Sequence, residues 1–528
     1  MGEWTLDVRQ RLKANGFNTL RFVLAPLLNG HPINVSYSVY FFWSYHSASR
    51  DAYDFESGAH NIQRLFDMAK QTGLWAIARP GPYVNVSSHN GSQPEVTWNR
   101  LTHRFQKGTT NAGGLALWGS DGSMGKLRTS DEAYHQAWLP YMRKVGQIIA
   151  ANQITKGGPV ILFQVENVEW NGQLLTATKT PYGSYTAQIP GTENRSVTLP
   201  RFNYWRSAES LPDIQPDFDD SRWTVANKNS TLSPQAPLTL PVLFSSDYGY
   251  YAGAKIYRGY FDGIEHTAVN ITASGGLAFG WNAWLTGHLI GGHPGDPDLS
   301  ATNMTLTLPV SHLKKRNNVI TVLVDYHGHD ETDIPNGAEN PRGILGAYLL
   351  PGGTRTATGF KLWKIQGNAG GSKDIDPVRG PMNEGGLYAE RLGWFLPGFP
   401  ASDDKEFKST SSPLDGLSES GVRFYVTTFN LDIHSDLDVP IGVSLSAPNG
   451  TIARVMLWVN GTKFPIPPGI INNRGQNTLA LSVWAQTDAG AKLDTVELFT
   501  YGLYQTDFQF YRNWSYLQPR WEDRSMWS

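Results

Sequence analysis

Acidic and amide side chains follow directly on an apolar run about a third of the way along the chain. The run Val160–Val165 comes after a Gly-Gly-Pro sequence, and Glu166, Asn167 and Glu169 come after the run. A short β-branched and aromatic run bounded by Gly and Pro predicts a buried strand. Charged groups at the C-terminal end of such a strand lie where α/β barrels carry out their chemistry. This segment is therefore the first candidate for a catalytic site, and the alternative is a polar loop.

The first 170 residues alternate helical and strand patterns. Trp4, Val8 and Leu12 share a helical face, and a strand is expected from Phe17. Alternating units predict a parallel sheet, but about three fit here, whereas a complete eight-unit barrel takes ~250 residues. We therefore expect a partial (β/α)8 TIM-type barrel. Further along, the pattern predicts a helix through Ile62, Leu65, Phe66 and Ala69 with Gly73 at its end, a strand Leu74–Ala78, and a helix capped by Asp131 that carries Trp138, Tyr141, Val145 and Ile149 around Pro140.

The hydrophobic pattern of the sequence changes after Asn171. A polar segment is expected to be a linker, and short alternating runs then recur between turn residues, a pattern typical of β-sandwiches. These runs are Lys255–Phe261, Asn318–Val324, Phe424–Phe429, Ala453–Val459 and Thr478–Trp484. The predicted organisation, α/β followed by all-β, is a partial barrel in 1–170, a linker in 171–200, a sandwich in 201–370, a crossover in 371–400 and a second sandwich in 401–528.

Composition excludes some classes of partner. Lys+Arg 44 against Asp+Glu 46 gives a net charge of −2, which supplies no counterion-release drive toward nucleic acid or anionic lipid. No run approaches the ~18 apolar residues of a membrane helix. The 18 Trp suit β-sheet cores and stacking against sugar rings, and the core interpretation needs no ligand. We expect no nucleic-acid partner, no membrane partner and no cofactor.

Glycosylation signals favour secretion. The chain has no Cys, so it holds neither a disulfide framework nor a thiol nucleophile. No basic-then-apolar leader precedes the first helix, so secretion requires a leader that this sequence lacks. Ten Asn-x-Ser/Thr sequons, acceptors for surface glycans, begin at Asn34, Asn85, Asn90, Asn194, Asn229, Asn270, Asn303, Asn449, Asn460 and Asn513.

Seven motifs are distributed over the N-terminal and the later parts of the chain. The N-terminal ones are Ile77-Ala-Arg-Pro-Gly-Pro-Tyr-Val-Asn85, Leu127-Arg-Thr-Ser-Asp131 and Gly157-Gly-Pro-Val-Ile-Leu-Phe-Gln-Val-Glu-Asn167. The later ones are Ser245-Ser-Asp-Tyr-Gly249, Tyr257-Arg-Gly-Tyr-Phe261, Asn340-Pro-Arg-Gly-Ile-Leu345 and Arg379–Arg391. Together these motifs resemble glycoside hydrolase family 35, the large fungal β-galactosidases. The resemblance implies that both sandwiches are jelly rolls of the galactose-binding-like type. It also implies a retaining hydrolase, expected to be a secreted monomer, that releases terminal β-galactose from an oligosaccharide or polysaccharide.

The resemblance also implies site residues. Glu169 is expected to be the acid/base, with Glu166 as second choice, and Asn167 to bond the sugar 2-hydroxyl. Val168 intervenes in the family's Gln-x-Glu-Asn-Glu-aromatic pattern, a one-residue slip that only a bulge restores. Tyr40 and Asn85 match residues that line the galactose subsite, and for Tyr40 a place in the core is an equal alternative. Val86-Ser87 stand where the family has Ala-Glu.

The nucleophile of a retaining mechanism has no candidate in this sequence. The family carries it on the seventh barrel strand, but here sandwich patterns begin after the fourth. Non-family stretches start with Val after Asn85 and after Asn167, the residue that an in-frame GT splice donor encodes. We therefore hypothesise an impaired hydrolase, with a mis-spliced, non-functional fragment or a non-catalytic carbohydrate-binding remnant as alternatives. Asp325–Glu331 offers metal ligands, but no tetrahedral set is evident, so a solvated turn and no metal are expected.

Overall fold

The fold is known from a computed structural model of the chain. The structure describes residues 36–40, 43–57, 60–71, 75–79, 115–126, 131–153, 156–159, 169–170, 173–174, 177–179, 185–187, 195–251, 253–296, 298–327, 340–353, 356–367, 385–400, 407, 411–434, 436–463, 470–500, 502–505, 520–522 and 524. Within these residues no helix is long and apolar enough to span a bilayer.

The N-terminal part is α/β, as predicted. Strands β1 (Ser36–Tyr40) and β2 (Trp75–Arg79) pair in parallel, and the helix Ile62–Gln71 precedes β2. Ile62, Phe66 and Ala69 are buried on one face of that helix, which confirms the helical period read from the sequence. The described residues therefore contain one parallel strand pair, and the rest of the partial barrel stays a prediction. The predicted helix through Trp4, strand from Phe17, Gly73 and strand Val160–Val165 lie outside the described residues.

The helix Glu132–Ala151 begins as its sequence predicts. The Asp131 carboxylate accepts a hydrogen bond from the backbone N–H of Ala133 at 2.9 Å, which satisfies one of the free donors of the first turn. Tyr141 and Val145 are buried in the core shared with the short helix Trp43–His46 and with the helix Ile62–Gln71. One core thus holds the described part of the N-terminal region together.

Two short antiparallel pairs lie between the last residues of the predicted partial barrel and the end of the segment predicted as a linker. Strands β3 (Glu169–Trp170) and β4 (Gln173–Leu174) form one pair, and β5 (Ala177–Lys179) and β6 (Tyr185–Ala187) form the other. The next strand, β7 (Arg206–Glu209), departs from the predicted organisation because it joins a sheet of the second sandwich rather than the first. The sequence of a four-residue strand does not indicate which sheet the strand joins.

The first sandwich consists of two sheets. The larger has six strands and the smaller has three. In spatial order the six are β12 (His288–His293), β11 (Trp281–Leu285), β14 (Asn318–Val324), β9 (Lys255–Phe261), β16 (Leu362–Gln366) and β8 (Thr224–Ala226), and the three are β13 (Ala301–Thr307), β10 (His266–Ser274) and β15 (Gly343–Pro351). The core between the sheets includes Tyr257, Trp281 and Val322 of the larger sheet and Val269 and Ile271 of the smaller one.

The second sandwich has a five-stranded sheet faced by two smaller pairs. The five strands, in spatial order, are β21 (Thr462–Lys463), β20 (Ala453–Val459), β22 (Arg474–Ala485), β17 (Gly421–Asp432) and β7. The pairs are β18 (Leu437–Asp438) with β24 (Tyr504–Gln505) and β19 (Ile441–Ser446) with β23 (Thr495–Thr500). All five predicted strand runs of the two sandwiches lie within observed strands. The two-sheet architecture is therefore as expected, and the jelly-roll topology stays a prediction.

Ion pairs are buried where the two sandwiches meet. The Arg391 guanidinium donates to the Asp213 carboxylate at 2.6 Å, and both side chains are completely inaccessible to solvent. Asp213 lies in a 3-10 turn that leads from β7 into the first sandwich, and Arg391 ends the crossover helix Tyr388–Arg391. Trp284 of the first sandwich and Trp484 of the second pack into the same apolar cluster. The pair therefore ties both connecting segments to one junction.

Arg391→Met is expected to destabilise the sandwiches by about 3 to 5 kcal/mol, because it leaves the Asp213 carboxylate buried without its counter-charge. Urea unfolding followed by Trp fluorescence measures the change. Lys361→Met is the matched control, since its pair with Asp262 is largely exposed and is expected to contribute little to stability. Equal losses in the two variants would contradict the role given to the buried pair.

Candidate active site

Tyr40 lies at the C-terminal end of strand β1. In the parallel register it is opposite Arg79, the last residue of β2 and part of the motif Ile77–Asn85. Because the C-terminal ends of parallel strands meet at one edge of a sheet, the structure brings Tyr40 to the edge where the family motif begins. Its place in a galactose subsite stays a prediction.

Glu169 is the first residue of strand β3. Its partner is Leu174 of β4, in an antiparallel hairpin of two residues on each side. Within the described residues this hairpin shares no sheet with β1 and β2. Glu169 therefore lies at the start of a hairpin, one residue beyond Val168, which interrupts the family pattern. Its acid/base role stays a prediction. Asn85, Glu166 and Asn167 lie outside the described residues.

An aromatic cluster supports the strand end that carries Tyr40. The Trp43 ring, three residues beyond Tyr40, stacks on Tyr141 at 5.8 Å between centroids and meets the edge of Trp118 at 5.5 Å. The Trp118 indole N–H donates to the Ser47 hydroxyl at 3.0 Å. Trp43 and Tyr141 are fully buried, and Trp118 is almost so. These contacts hold the chain after β1 in a fixed position, which a binding site at this edge requires.

Two buried histidines lie beside this cluster. The ring of His46 is hydrogen-bonded through Nδ1 with the carbonyl oxygen of Asp54 at 2.8 Å and stacks on Phe55. Burial lowers the pKa of His46 to about 3, and the nearby His60 contributes in the same direction. Burial also lowers the pKa of His60, whose ring stacks on Tyr45 at 4.1 Å. Both rings are therefore neutral near pH 7, and their surroundings are those of core residues.

A carboxyl group that the sequence did not single out as reactive is Asp247. Partial burial raises its pKa to about 6, and the neighbouring Asp121 carboxylate acts in the same direction. The Thr231 hydroxyl donates to its Oδ2 at 3.0 Å. A carboxyl with a raised pKa is the type that a general acid uses, but Asp247 lies in a turn of the first sandwich that packs on the N-terminal part. Local periodicity carries no signal for such a contact.

The Asp325 end of the predicted solvated turn, Asp325–Glu331, contacts the second sandwich, whereas residues 328–331 lie outside the described residues. The Asp325 carboxylate accepts hydrogen bonds from Arg454 Nη1 of β20 and from His327 Nε2, both at 2.7 Å. The Arg454 guanidinium also donates to the carbonyl oxygens of Ala278 and Pro294. The positive charge of this guanidinium repels a metal cation at the same position. Among the residues that the structure describes, no group of three metal-ligating side chains is present.

Comparison with known proteins identifies the family of the chain. The family model for glycosyl hydrolases family 35 matches residues 33–106 and 102–258. The model for the second all-beta domain of β-galactosidase matches residues 218–330, 388–464 and 462–489. The matches cover the described α/β region and parts of both sandwiches. They define a class of protein, the glycoside hydrolases with all-β accessory domains.

Curated relatives are similar over the same extent. The protein named probable beta-galactosidase C of Sclerotinia sclerotiorum is 60% identical over 372 residues, which is 68% of this chain and 37% of that protein. Its namesake from Aspergillus fumigatus is 52% identical over 379 residues, which is 69% of this chain and 38% of that protein. The chain belongs to glycosyl hydrolase family 35 and is related to the fungal β-galactosidases. It spans less than two fifths of the length of these relatives.

Solved structures add little to this assignment. A β-glycosidase from Bacteroides vulgatus aligns with 55% of this chain and 29% of its own length, at 13% identity and a TM-score of 0.17. A similarity this weak carries no argument about the fold or the site.

His46→Asn is expected to reduce the acid sensitivity of the protein. A histidine whose folded pKa is lowered to about 3 from 6.5 stays neutral in the folded state while the unfolded chain takes up a proton. Its stabilising effect is therefore complete above pH 6.5 and is lost as the pH falls toward 3. Urea unfolding between pH 4 and pH 8 should show a shallower loss below pH 6.5 in the variant, with parallel curves above it. Parallel curves throughout would contradict the burial of a neutral ring.

Proposed function

We propose that this chain is a β-galactosidase-type retaining glycoside hydrolase whose turnover is impaired. The single observation that supports the reaction class is the match to family 35 across residues 33–258, which includes every motif that carries a candidate site residue. The substrate class is supported by the names of the relatives, which are probable β-galactosidases. The proposed substrates are oligosaccharides or polysaccharides that end in a non-reducing β-galactose, and the protein is proposed to act as a monomer.

The proposed mechanism assigns one carboxyl group to proton transfer. In a retaining hydrolase a protonated carboxylic acid donates to the glycosidic oxygen as the bond to the anomeric carbon breaks, and a second carboxylate about 5 to 5.5 Å away attacks that carbon. Glu169 is proposed as the acid, with Glu166 as second choice. Asn167 is proposed to bond the 2-hydroxyl, and Tyr40 and Asn85 to line the subsite.

The proposed impairment rests on the missing second carboxylate. After Trp170 the chain passes through the short strands β4, β5 and β6 and reaches the sheet of the second sandwich at Arg206. This interval provides no parallel strand in its described residues and no Glu in a family motif. Without an attacking carboxylate, protonation of the leaving oxygen produces no covalent intermediate. Proton donation alone then gives slow hydrolysis at most.

A carbohydrate-binding remnant is the second candidate. Both sandwiches have their own cores and share buried ion pairs that involve no residue of the N-terminal part. They are therefore expected to fold without the barrel, and this candidate assigns glycan binding to them. This candidate predicts retention on a galactose matrix without turnover, through the sandwiches rather than through Tyr40 or Asn167.

The purified chain is expected to hydrolyse p-nitrophenyl β-galactoside at least about 10⁴-fold more slowly than the Sclerotinia sclerotiorum relative, because loss of one member of a catalytic pair removes most of the rate enhancement. Initial rates measured in parallel test this. Turnover within tenfold of the relative would show that a complete pair of carboxylates is present. Any residual rate should fall further in Glu169→Gln.

Retention on immobilised galactose distinguishes sugar binding by the proposed active site from sugar binding by the sandwiches. Asn167→Ala is expected to weaken retention if the proposed active site binds sugar. Tyr204→Ala is the matched control, because this ring is 63% exposed at the start of the sandwich region. Weaker retention in Tyr204→Ala with no change in Asn167→Ala would favour the carbohydrate-binding remnant.

Secretion is proposed as the route of this protein. Its support is the number of sequons, of which Asn229, Asn303 and Asn449 are exposed in the structure. N-linked glycans require passage through the secretory pathway. Immunodetection is expected to find the native protein in the culture fluid. Detection of unglycosylated protein in the cytosol alone would contradict this proposal.

A further inference from the structure

Two sequons face each other on the outer side of the three-stranded sheet. Asn270 and Thr272 lie on β10, and Asn303 and Thr305 lie on β13. The strands are antiparallel neighbours, with Asn270 opposite Thr305 and Thr272 opposite Asn303. Residues two apart on a strand point to the same side. The acceptor and the hydroxyl of each sequon therefore meet those of the other across the strand pair.

The middle residue of each sequon indicates which side of the sheet the two acceptors occupy. Ile271 is fully buried in the core of the first sandwich, and Met304, opposite to it, packs against the same core. Since neighbours along a strand alternate between the faces of a sheet, both sequons point away from this core. The two acceptors lie on the side of the sheet from which a glycan has to leave.

The four side chains form one hydrogen-bonded group, the sequon ladder. Asn270 Nδ2 donates to Asn303 Oδ1 at 3.0 Å and to Thr305 Oγ1 at 2.9 Å. Asn303 Nδ2 donates to Asn270 Oδ1 at 3.1 Å and to Thr272 Oγ1 at 2.5 Å. A carboxamide nitrogen has two protons, and both are used in each residue. An N-linked sugar replaces one of them, so each glycan removes one bond of the ladder.

Exposure distinguishes the two acceptors. Asn270 is only 5% exposed and lies on the central strand, between β13 and β15, where Tyr348 is its other cross-strand neighbour. Asn303 is exposed and lies on the edge strand of this sheet. A sugar stem at Asn270 has to displace neighbours on both sides. A sugar stem at Asn303 extends into solvent while the remaining N–H keeps one bond of the ladder.

We infer that Asn303 carries an N-linked glycan in the folded protein and that Asn270 stays unmodified, so that the two sequons are never occupied together. The glycan at Asn303 lies at the edge of the outer face of the three-stranded sheet. Chains that receive a sugar at Asn270 before folding cannot pack β10 between β13 and β15 and are absent from the folded, secreted fraction. The inference rests on the proposed secretory route, but a heterologous leader separates the two questions.

Glycan mapping tests the inference. The full chain is expressed behind a secretory leader in a fungal host, and the secreted fraction is treated with peptide-N-glycosidase in H₂¹⁸O, which converts each glycosylated Asn to ¹⁸O-labelled Asp. We expect the label at Asn303 in most molecules and none at Asn270. The exposed acceptors Asn229 and Asn449 provide the comparison within the same sample. This host supplies secretion, so the result does not depend on where the native protein is located.

Two matched variants control for loss of the ladder. Thr305→Val removes the Asn303 sequon and Thr272→Val removes the Asn270 sequon, and each removes one hydroxyl from the same group. We expect the mass of the secreted protein to fall by one glycan in Thr305→Val and to stay unchanged in Thr272→Val. Label at Asn270 in the wild type, alone or together with Asn303, overturns the inference. An unlabelled Asn303 also overturns it, whether or not Asn229 and Asn449 carry label.

Discussion

The buried pair between Asp213 and Arg391 is the interaction on which the all-β part of the molecule depends. A charge removed from water is tolerated only beside its counter-charge, so the two connecting segments that supply these residues have to meet at one point. That point lies among tryptophans from both sandwiches, and the Arg454–Asp325 contact repeats the principle at a second position. The sandwiches consequently share a junction in which charge pairs are enclosed by apolar side chains. This junction fixes how one sandwich lies on the other.

This constraint separates the scaffold from the chemistry. The sandwiches are held by their own cores and by this junction, and neither requires a residue of the catalytic motifs. The N-terminal part has an independent aromatic core around Trp43 and Tyr141, which fixes the chain beyond Tyr40. The architecture of the sandwiches therefore does not depend on a complete active site. Membership of the family and turnover are separate questions for this protein.

Local sequence patterns predicted the elements well and their assembly less well. The bounds of Lys255–Phe261 and Asn318–Val324 were predicted correctly because each is a buried run between turn residues, and Asp131 caps its helix because a short carboxylate there accepts an N–H. The transfer of β7 to the second sandwich and the reach of Arg454 to Asp325 depend on contacts between residues far apart in sequence. Such contacts produce no periodic pattern in the sequence. Of the predicted site residues, the structure describes the backbone positions of Tyr40 and Glu169.

We propose that this member of family 35 retains a proton donor but lacks the carboxylate that attacks the anomeric carbon. The most direct measurement is intact mass after incubation with 2-deoxy-2-fluoro-β-galactosyl fluoride, which needs little acid assistance to react and traps the glycosyl-enzyme of retaining enzymes. The Sclerotinia sclerotiorum relative serves as the positive control. We predict that the relative gains one fluorogalactosyl group and that this chain gains none. A stoichiometric adduct on any carboxylate of this chain would contradict the account and would identify the missing nucleophile.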